Sequence, residues 1–406
     1  MKKKILFVIN TMGQGGAETA LLELLRRLDP EKYDISLLVL LGQGELIDRL
    51  PPWVRLLNKH YDKTSVLTAE GRKRLRRHML KILFGRGALF RAFPYLLWQL
   101  VQMLRKGRVL ADKLLWRVAA MGAPVIREHF DLAVAYLEGG SAYYVADYVD
   151  ADVRAGFIHI DYVCAGYTRS LDRDCYTGFQ RVFCVSDEVR GVFQSVYPEV
   201  ACEVFHNLIS RDKIRALAGE PGGFRDGFQG VRILTVGRLN AQKALEVSIG
   251  AMRLLKEEKV RARWYVLGEG DERGHLEAYI REQGLEEDFL LPGTVSNPYP
   301  YFAQADLYVH ATRYEGKSIA IQEAQTLGCA ILVSDCSGNR EQVEDGVDGL
   351  LCQFTETAVK EGILRLLRDE ELRTRLKEGA LHKRLEDEAE MKAEIDKLLS
   401  LMSVSH

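Results

Sequence analysis

Residues 233–243 read Ile233-Leu234-Thr235-Val236-Gly237-Arg238-Leu239-Asn240-Ala241-Gln242-Lys243. A short apolar run followed at once by glycine and polar residues is typical of a central strand in a parallel sheet that is covered on both faces. A helical pattern follows over 245–256, so this part of the chain has the strand-then-helix order of a doubly wound α/β domain. Such domains bind ligands outside the carboxyl ends of their strands, where Gly237 lies.

Apolar runs of the same kind recur along both halves of the chain. In the N-terminal half they occupy residues 5–9, 35–41, 132–137, 155–160 and 182–185, and in the C-terminal half residues 233–236, 264–267, 289–291, 307–309, 330–333 and 349–352. Because a single core usually stops growing at ~250–300 residues, a chain of 406 residues is expected to form two domains. We predict an α/β fold of two doubly wound, Rossmann-like domains that face each other across a cleft, with residues 1–212 in the first and 213–385 in the second.

The composition argues against several classes of protein. The 56 Lys and Arg residues balance 57 Asp and Glu residues, so no overall positive field would attract nucleic acid. The 7 cysteines include no C-x-x-C pair, which argues against a disulfide framework and a structural zinc site and indicates a reducing, cytoplasmic setting. The nearest match to a D-x-D metal motif, Asp172-Arg173-Asp174, is interpreted as a solvated turn. We predict a site that uses no metal and no cofactor.

Residues 68–129 interrupt the alternation of strands and helices. A basic segment, 72–78, leads into aromatic and apolar residues that are interspersed with arginines and lysines up to position 108. Arg91 and Pro94 break the apolar run, which falls short of the ~20 apolar residues that a membrane span requires. Basic, aromatic-rich amphipathic helices attach to anionic membrane surfaces, so we predict that residues 72–108 bind such a surface. The alternative is a helical insertion whose apolar side belongs to the core.

Charged side chains follow the predicted strands at the edge where a ligand is expected. Arg238 and Lys243 lie 5 residues apart around a turn, where a guanidinium and an ammonium group can clamp a diphosphate. Glu315 and Glu323 stand on either side of a predicted loop-to-helix junction, which combines two carboxylates with a helix N-terminus. Together the four residues indicate a site for a polyhydroxylated, phosphorylated ligand.

At this point the sequence resembles the retaining glycosyltransferases of family 4, and the resemblance spans almost the whole chain. The segments that carry it occur in the family's order: Gly15-Gly16-Ala17-Glu18, Phe157-Ile158-His159-Ile160-Asp161, Val185-Ser186, His206-Asn207-Leu208-Ile209, Gly237-Arg238-Leu239 with Lys243, and Glu315 with Glu323. Ala244, Leu208 and Lys317 depart from the family's usual glycine, proline and aromatic residue. The resemblance implies the two-lobed fold called GT-B, with residues 386–406 forming a helix that crosses back to the N-terminal lobe.

The resemblance also implies roles for individual residues. The glycine loops and the two cations would hold the donor's diphosphate, through Gly15, Gly16, Gly237, Arg238 and Lys243. The other residues would contact the nucleotide and the sugar. Glu323 would contact the ribose hydroxyls, and Val295 would contact the base. Glu315 and the N–H groups of Ser318 and Ile319 would contact the sugar hydroxyls and the distal phosphate, and His159 would contact the sugar from the other lobe.

One further residue has two open interpretations. Glu138 ends the predicted strand 132–137 and faces the expected cleft, where its carboxylate could contact acceptor hydroxyls. Alternatively, the segment is structural and Ser141 is the N-cap of the helix that follows.

The function expected from these residues is transfer of a hexose or N-acetylhexosamine from a nucleotide-diphosphate sugar, which we expect to be a UDP-sugar, with retention of configuration. The acceptor is expected to be lipid-linked or a cell-surface polysaccharide, and the protein to be cytoplasmic and peripheral on the inner face of the cell membrane. One alternative is a GT-B enzyme with a soluble sugar or sugar-phosphate acceptor. The second is a sugar-nucleotide binding protein without catalytic activity.

Overall fold

The computed structural model describes residues 2–84, 88–105, 111–383 and 388–403. The chain divides into two compact units. The first ends at Leu208 and also includes the C-terminal helix, whereas the second begins at Ile209 and ends before that helix. The sequence placed this boundary between residues 212 and 213.

The first unit is built on a parallel seven-stranded sheet with the order β3-β2-β1-β4-β5-β6-β7. Its strands are β1 (Lys3–Ile9), β2 (Tyr33–Val39), β3 (Val54–Leu56), β4 (Phe130–Ala135), β5 (Ala151–Ile158), β6 (Arg181–Cys184) and β7 (Cys202–Val204). Its helices are α1 (Gly16–Arg27), α2 (Ala69–Phe84), α3 (Ala88–Arg105), α4 (Ala111–Gly122), α5 (Gly140–Tyr148), α6 (Arg169–Asp172) and α7 (Asp187–Val196). The strand order reverses between β1 and β4, so the carboxyl ends of these two strands mark the topological switch point.

The second unit is built on a parallel six-stranded sheet with the order β10-β9-β8-β11-β12-β13. Its strands are β8 (Val231–Val236), β9 (Ala262–Leu267), β10 (Phe289–Gly293), β11 (Leu307–His310), β12 (Ile331–Ser334) and β13 (Leu350–Cys352). Its helices are α8 (Arg211–Ala218), α9 (Glu246–Glu257), α10 (Arg273–Glu282), α11 (Tyr299–Gln304), α12 (Ile319–Thr326), α13 (Ser337–Gln342), α14 (Glu356–Arg368) and α15 (Glu370–His382). Here the order reverses between β8 and β11.

The last helix, α16 (Glu388–Ser400), packs on the first unit. Its buried side chains Met391, Ile395 and Leu398 join the core that Ile5 and Phe7 of β1 form on one face of the sheet. The alternate residues of β1 enter a separate core on the other face. Burial on both faces explains why the central strands read as continuous apolar runs.

The interruption at 68–129 forms three helices, and the alternative of a helical insertion packed into the core holds in part. Leu114 and Val118 of α4 are buried, and on α3 the Tyr95 hydroxyl donates to the Leu171 carbonyl at 2.9 Å. The Gln99 amide donates to the Ser170 carbonyl at 2.5 Å. This inner face of α3 therefore belongs to the fold.

The opposite face of α3 is apolar and exposed, and we call it the apolar face of α3. Its residues recur at the spacing of one helix face: Phe93, Leu97, Trp98, Leu100, Val101 and Leu104. Phe93 and Trp98 are each 58% exposed. Positions 85–87 and 106–108 of the predicted membrane segment lie outside the described residues. Within the described ranges, no helix combines the length and the apolarity that crossing a membrane requires.

Candidate active site

The candidate site of the second unit lies at its topological switch point. The loop that begins at Gly237 follows β8, and the loop that carries Glu315 follows the neighbouring strand β11. The Gly237 loop is also in close contact with the loop after β9. A Cβ on Gly268, whose φ is +155°, would collide with the Gly237 carbonyl, so this position requires glycine.

Backbone and side-chain hydrogen bonds join the loops after β8 and β11. The Gln242 carbonyl accepts from the Thr312 hydroxyl at 3.0 Å and from the Arg313 N–H at 3.1 Å. The Gln242 amide in turn donates to the Tyr314 carbonyl at 2.9 Å and to Oε1 of Glu315 at 3.3 Å. These bonds fix Lys243 and Glu315 beside each other.

Lys243, Glu315 and His310 form one buried polar network. Nζ of Lys243 donates to Oε2 of Glu315, and both side chains are 13% exposed. Nε2 of His310 lies 2.9 Å from Nζ of Lys243 and 3.1 Å from Oε2 of Glu315. Burial alone would raise the pKa of Glu315, but the Lys243 charge and the His310 contact outweigh it and hold that pKa well below its usual range. Glu315 is therefore a carboxylate at neutral pH.

Arg238 stands apart from this network. Its residue is exposed, and within the part of the chain that the structure describes its guanidinium has no ion-pair partner. An unpaired guanidinium beside a glycine loop can bind phosphate oxygens through a bidentate fork.

Glu323 lies on α12 and is buried. The Tyr299 hydroxyl donates to Oε1 of Glu323 at 2.9 Å. Burial raises the pKa of Glu323 to about 7, against the opposing effect of the Tyr299 hydrogen bond. Val295 is half-buried in the loop between β10 and α11, and Tyr299 begins α11. Tyr299 thus orients the carboxylate that is predicted to contact the ribose.

The backbone N–H of Ser318 is already engaged. It donates to Oε1 of Gln342 at 2.6 Å, and the Gln342 amide donates back to the Ser318 carbonyl at 2.9 Å. The predicted use of the Ser318 N–H by a donor phosphate therefore conflicts with this structure. Ile319 opens α12, so its N–H lies at the helix N-terminus as the sequence predicted.

In the first unit, the predicted glycine loop precedes α1. Gly15 is the N-cap and Gly16 is the first helical residue. The Glu18 side chain folds back against Gly15, where its carboxylate would meet a Cβ. The loop thus presents backbone rather than side chain at the end of β1.

His159 follows β5 and is half-buried, and its Nε2 is a buried atom with no hydrogen-bond partner among the described residues. Burial lowers its pKa to about 4, although a hydrogen bond to the Tyr136 backbone acts in the opposite direction. The imidazole is therefore neutral at pH 7. An unpartnered, neutral Nε2 can accept a hydrogen bond from a hydroxyl group.

Glu138 supports His159. Its Oε2 accepts the His159 backbone N–H at 3.1 Å. The idea that Ser141 is an N-cap is wrong, because the N-cap of α5 is Gly139 and the Ser141 hydroxyl donates to the Leu137 carbonyl. Asn10, at the end of β1, instead accepts the Ser141 N–H at 2.8 Å and donates to the Glu138 carbonyl at 3.3 Å.

The interpretation of Asp172-Arg173-Asp174 as a solvated turn is wrong for its first residue. Asp172 is fully buried and accepts a 2.5 Å hydrogen bond from the Tyr143 hydroxyl. Burial raises the pKa of Asp172 to about 8, while the Tyr143 hydrogen bond and the Arg117 charge oppose that shift. Arg173 and Asp174 are exposed, as expected.

The prediction that no metal or cofactor takes part stays a prediction. Outside the site, Glu246, Glu272 and His275 bring three ligand atoms within 4.8 Å of one another. These side chains are half-buried or exposed, and acidic clusters of this kind are common on protein surfaces without a metal.

Sequence reasoning missed four residues that shape the two sites: Asn10, Gln242, Tyr299 and His310. Each has a polar side chain at or just beyond the carboxyl end of a strand, or at the start of the next helix. That position is the signal that could have selected them. Their contacts, however, depend on chain segments distant in sequence.

Comparison with known proteins finds relatives of part of the chain. Residues 229–383 match the family model described as glycosyl transferases group 1. The chain is 35% identical over 181 residues to the N-acetylgalactosamine-N,N'-diacetylbacillosaminyl-diphospho-undecaprenol 4-alpha-N-acetylgalactosaminyltransferase of Campylobacter jejuni subsp. jejuni serotype O:2, covering 44% of this chain and 48% of that protein. It is 30% identical over 151 residues to the alpha-D-kanosaminyltransferase of Streptomyces kanamyceticus, covering 36% of this chain and 39% of that protein. The chain thus spans less than half the length of these curated relatives.

A solved structure establishes the fold over nearly the whole chain. HepE of Anabaena in complex with UDP and glucose aligns with a TM-score of 0.63, covering 99% of this chain and 97% of that chain at 15% identity. At that identity the likeness concerns the fold alone, which is GT-B. The chain therefore has the GT-B fold, and the match to glycosyl transferases group 1 covers residues 229–383.

Proposed function

We propose that this chain is a retaining, metal-independent glycosyltransferase of the family 4 type. It moves a hexose or N-acetylhexosamine from a UDP-sugar to a lipid-linked or cell-surface polysaccharide acceptor. The observation that carries this proposal is the convergence of Lys243 and Glu315 from two loops at the switch point of the second unit. Exposed Arg238 adds a second cation after the same strand as Lys243.

These residues suit the charge that develops during transfer. The bond between the sugar's anomeric carbon and the diphosphate breaks with its electron pair remaining on the diphosphate. Arg238 and Lys243 would stabilise that charge through hydrogen bonds and electrostatic attraction. The acceptor hydroxyl forms the new bond to the anomeric carbon and passes its proton to the departing phosphate oxygen.

The proposed retention comes from the resemblance to the retaining family, and the state of Glu315 bears on the route. Its carboxylate is already held by Lys243, His310 and Gln242. A carboxylate engaged in this way suits a binding role better than nucleophilic attack on the sugar. Without such a nucleophile, retention requires that the acceptor attacks the same face of the sugar ring from which the diphosphate departs. In the first unit, Nε2 of His159 would accept a hydrogen bond from a sugar hydroxyl.

Two observations support a lipid-linked acceptor and a peripheral position on an anionic membrane. The apolar face of α3 is exposed beside α2, whose basic side chains Lys73, Arg76, Arg77 and Lys81 are also exposed. The pairing of an apolar face with cations matches the surface of an anionic bilayer. The Campylobacter relative carries diphospho-undecaprenol, a lipid carrier, in its name.

A thermal-shift panel of nucleotide sugars tests the donor part of the proposal. A ligand present at ~100 times its dissociation constant should stabilise the protein by roughly 2.7 kcal/mol. We expect UDP-sugars to raise the melting temperature more than ADP-sugars or GDP-sugars. Equal and negligible shifts across the panel would contradict the proposal, and tight binding without transfer would favour the non-catalytic alternative.

A further inference from the structure

His310 occupies a position that neither the motif residues nor the comparisons account for. It is the last residue of β11, and its side chain is 1% exposed. One ring atom, Nε2, contacts both members of the Lys243–Glu315 ion pair, at 2.9 Å and 3.1 Å. The other ring nitrogen, Nδ1, lies 2.9 Å from the Tyr308 hydroxyl. The ring is therefore held at both ends and touches both charges.

A neutral imidazole can satisfy only one of these charged groups at a time. With its proton on Nε2 the ring donates to Glu315, and with its proton on Nδ1 it accepts from Lys243. The Tyr308 hydroxyl can serve Nδ1 in either case, because a hydroxyl both donates and accepts. The site thus contains a group that can change partners without moving.

Such a change is needed when a donor binds. Lys243 must leave Glu315, at least in part, to contact the diphosphate, and the buried carboxylate then loses its cation. An unpaired buried carboxylate is strongly unfavourable. We propose that His310 is a positioning residue of the donor site, which takes over Glu315 when Lys243 moves to the donor's diphosphate. This inference rests on the proposed function, because it assumes that Lys243 contacts the donor.

The groups around His310 also predict how its protonation changes when a donor binds. The ring faces Tyr308 on its own strand, Lys243 after β8 and Glu315 after β11, and the Cys336 thiol before α13 interacts electrostatically with the latter two. Burial, followed by the Lys243 charge, lowers the pKa of His310, whereas Glu315 acts to raise it. When Lys243 moves away, one lowering influence weakens and the Glu315 influence remains. The ring should therefore take up a proton as Lys243 leaves, so that an imidazolium donates to Glu315 and donor binding is accompanied by net proton uptake.

Calorimetric titration with UDP tests the positioning role. His310→Leu cannot donate to Glu315, so we expect UDP to bind about tenfold more weakly, the scale of one hydrogen bond to a charged group. His310→Gln places an amide near the Nε2 position and should bind UDP within about threefold of the wild type. In the double variant His310→Leu/Glu315→Gln the carboxylate charge is gone, so much of the lost affinity should return. A purely structural role for His310 would give no such recovery, and that result would overturn the inference.

Proton counting provides a measurement that does not depend on how well His310→Leu folds. UDP titrations in two buffers of different ionisation enthalpy give the number of protons taken up per UDP bound. The wild type should take up more protons than His310→Gln. Any protons exchanged by UDP and by Glu323 are the same in the two proteins, so the difference between them reports on His310. Equal uptake in the two proteins would overturn the inference while leaving UDP binding intact. Failure of the wild type to bind UDP would instead contradict the proposed function.

Discussion

The Tyr299 hydroxyl donates a 2.9 Å hydrogen bond to Oε1 of Glu323, and so connects α11 with α12. Because Glu323 is buried, this bond orients the carboxylate proposed to hold the donor's ribose. The pair also makes the site sensitive to pH, since burial raises the pKa of Glu323 to about 7.

Glu323→Gln should make the stability of the donor-free protein less dependent on pH. A carboxyl whose folded pKa is raised contributes stability below its unfolded pKa, and that contribution is lost as pH rises through the folded pKa. Between the ordinary value of 4.5 and the folded value of about 7, the loss amounts to at most about 3 kcal/mol. The variant should therefore melt at a higher temperature than the wild type near about pH 8, and similarly near about pH 4. Glu282→Gln, at an exposed position, is the control, and an identical pH dependence in Glu323→Gln and the wild type would contradict the burial argument.

Tyr299→Phe should weaken donor binding without abolishing it. The substitution removes one hydrogen bond to Glu323 and leaves the ring, so a loss of about 1 kcal/mol, or roughly fivefold in the UDP dissociation constant, is expected. Calorimetric titration with UDP measures the change. Tyr301→Phe, on the same helix, is the matched control and should bind UDP as the wild type does. If both variants bound UDP normally, Tyr299 would have no part in the donor site.

His159→Gln should separate nucleotide binding from transfer. His159 belongs to the first unit and is proposed to contact the sugar, so UDP affinity should change by less than about twofold while turnover of the UDP-sugar falls by about a hundredfold. Exposed His129, just before β4 of the same sheet, provides the control variant His129→Gln. Unchanged turnover in His159→Gln would remove this residue from the mechanism.

Replacing aromatic residues on the apolar face of α3 should reduce membrane binding. Phe93→Ser with Trp98→Ser removes two large side chains, each of which gains about 1.5–3 kcal/mol on full burial, so binding to anionic liposomes should fall at least tenfold. Sedimentation with liposomes of increasing phosphatidylglycerol content measures this. Val347→Ser, at another exposed apolar position, should have no effect. If wild-type binding did not depend on anionic lipid, the membrane proposal would fail.

The sequence predicted the central parts of the fold because central parallel strands are buried on both faces and leave continuous apolar runs. The edge strands β3 and β7 were missed, since each has three residues and lacks that pattern. Asp172 was misjudged for a related reason. Its burial depends on Tyr143 and on Arg117 of α4, which approach from other helices and leave no local trace around residue 172.

The candidate site was predictable to the extent that its residues form recurring motifs. Arg238, Lys243, Glu315 and Glu323 were found in this way. His310 was missed because it ends an apolar strand and its partner Lys243 is 67 residues away. The conflict at Ser318 has the same origin, since Gln342 occupies that N–H from 24 residues further along the chain.

Turnover of the UDP-sugar selected by the thermal-shift panel is the most direct test of the central claim, when wild type is compared with Arg238→Ala. Arg281→Ala, an exposed arginine on α10 away from the glycine loops, is the control. Loss of a cation that stabilises the departing diphosphate should lower turnover by about 10²–10³-fold, with the control unchanged. Arg238→Ala turning over the donor as fast as the wild type would contradict the proposed donor site.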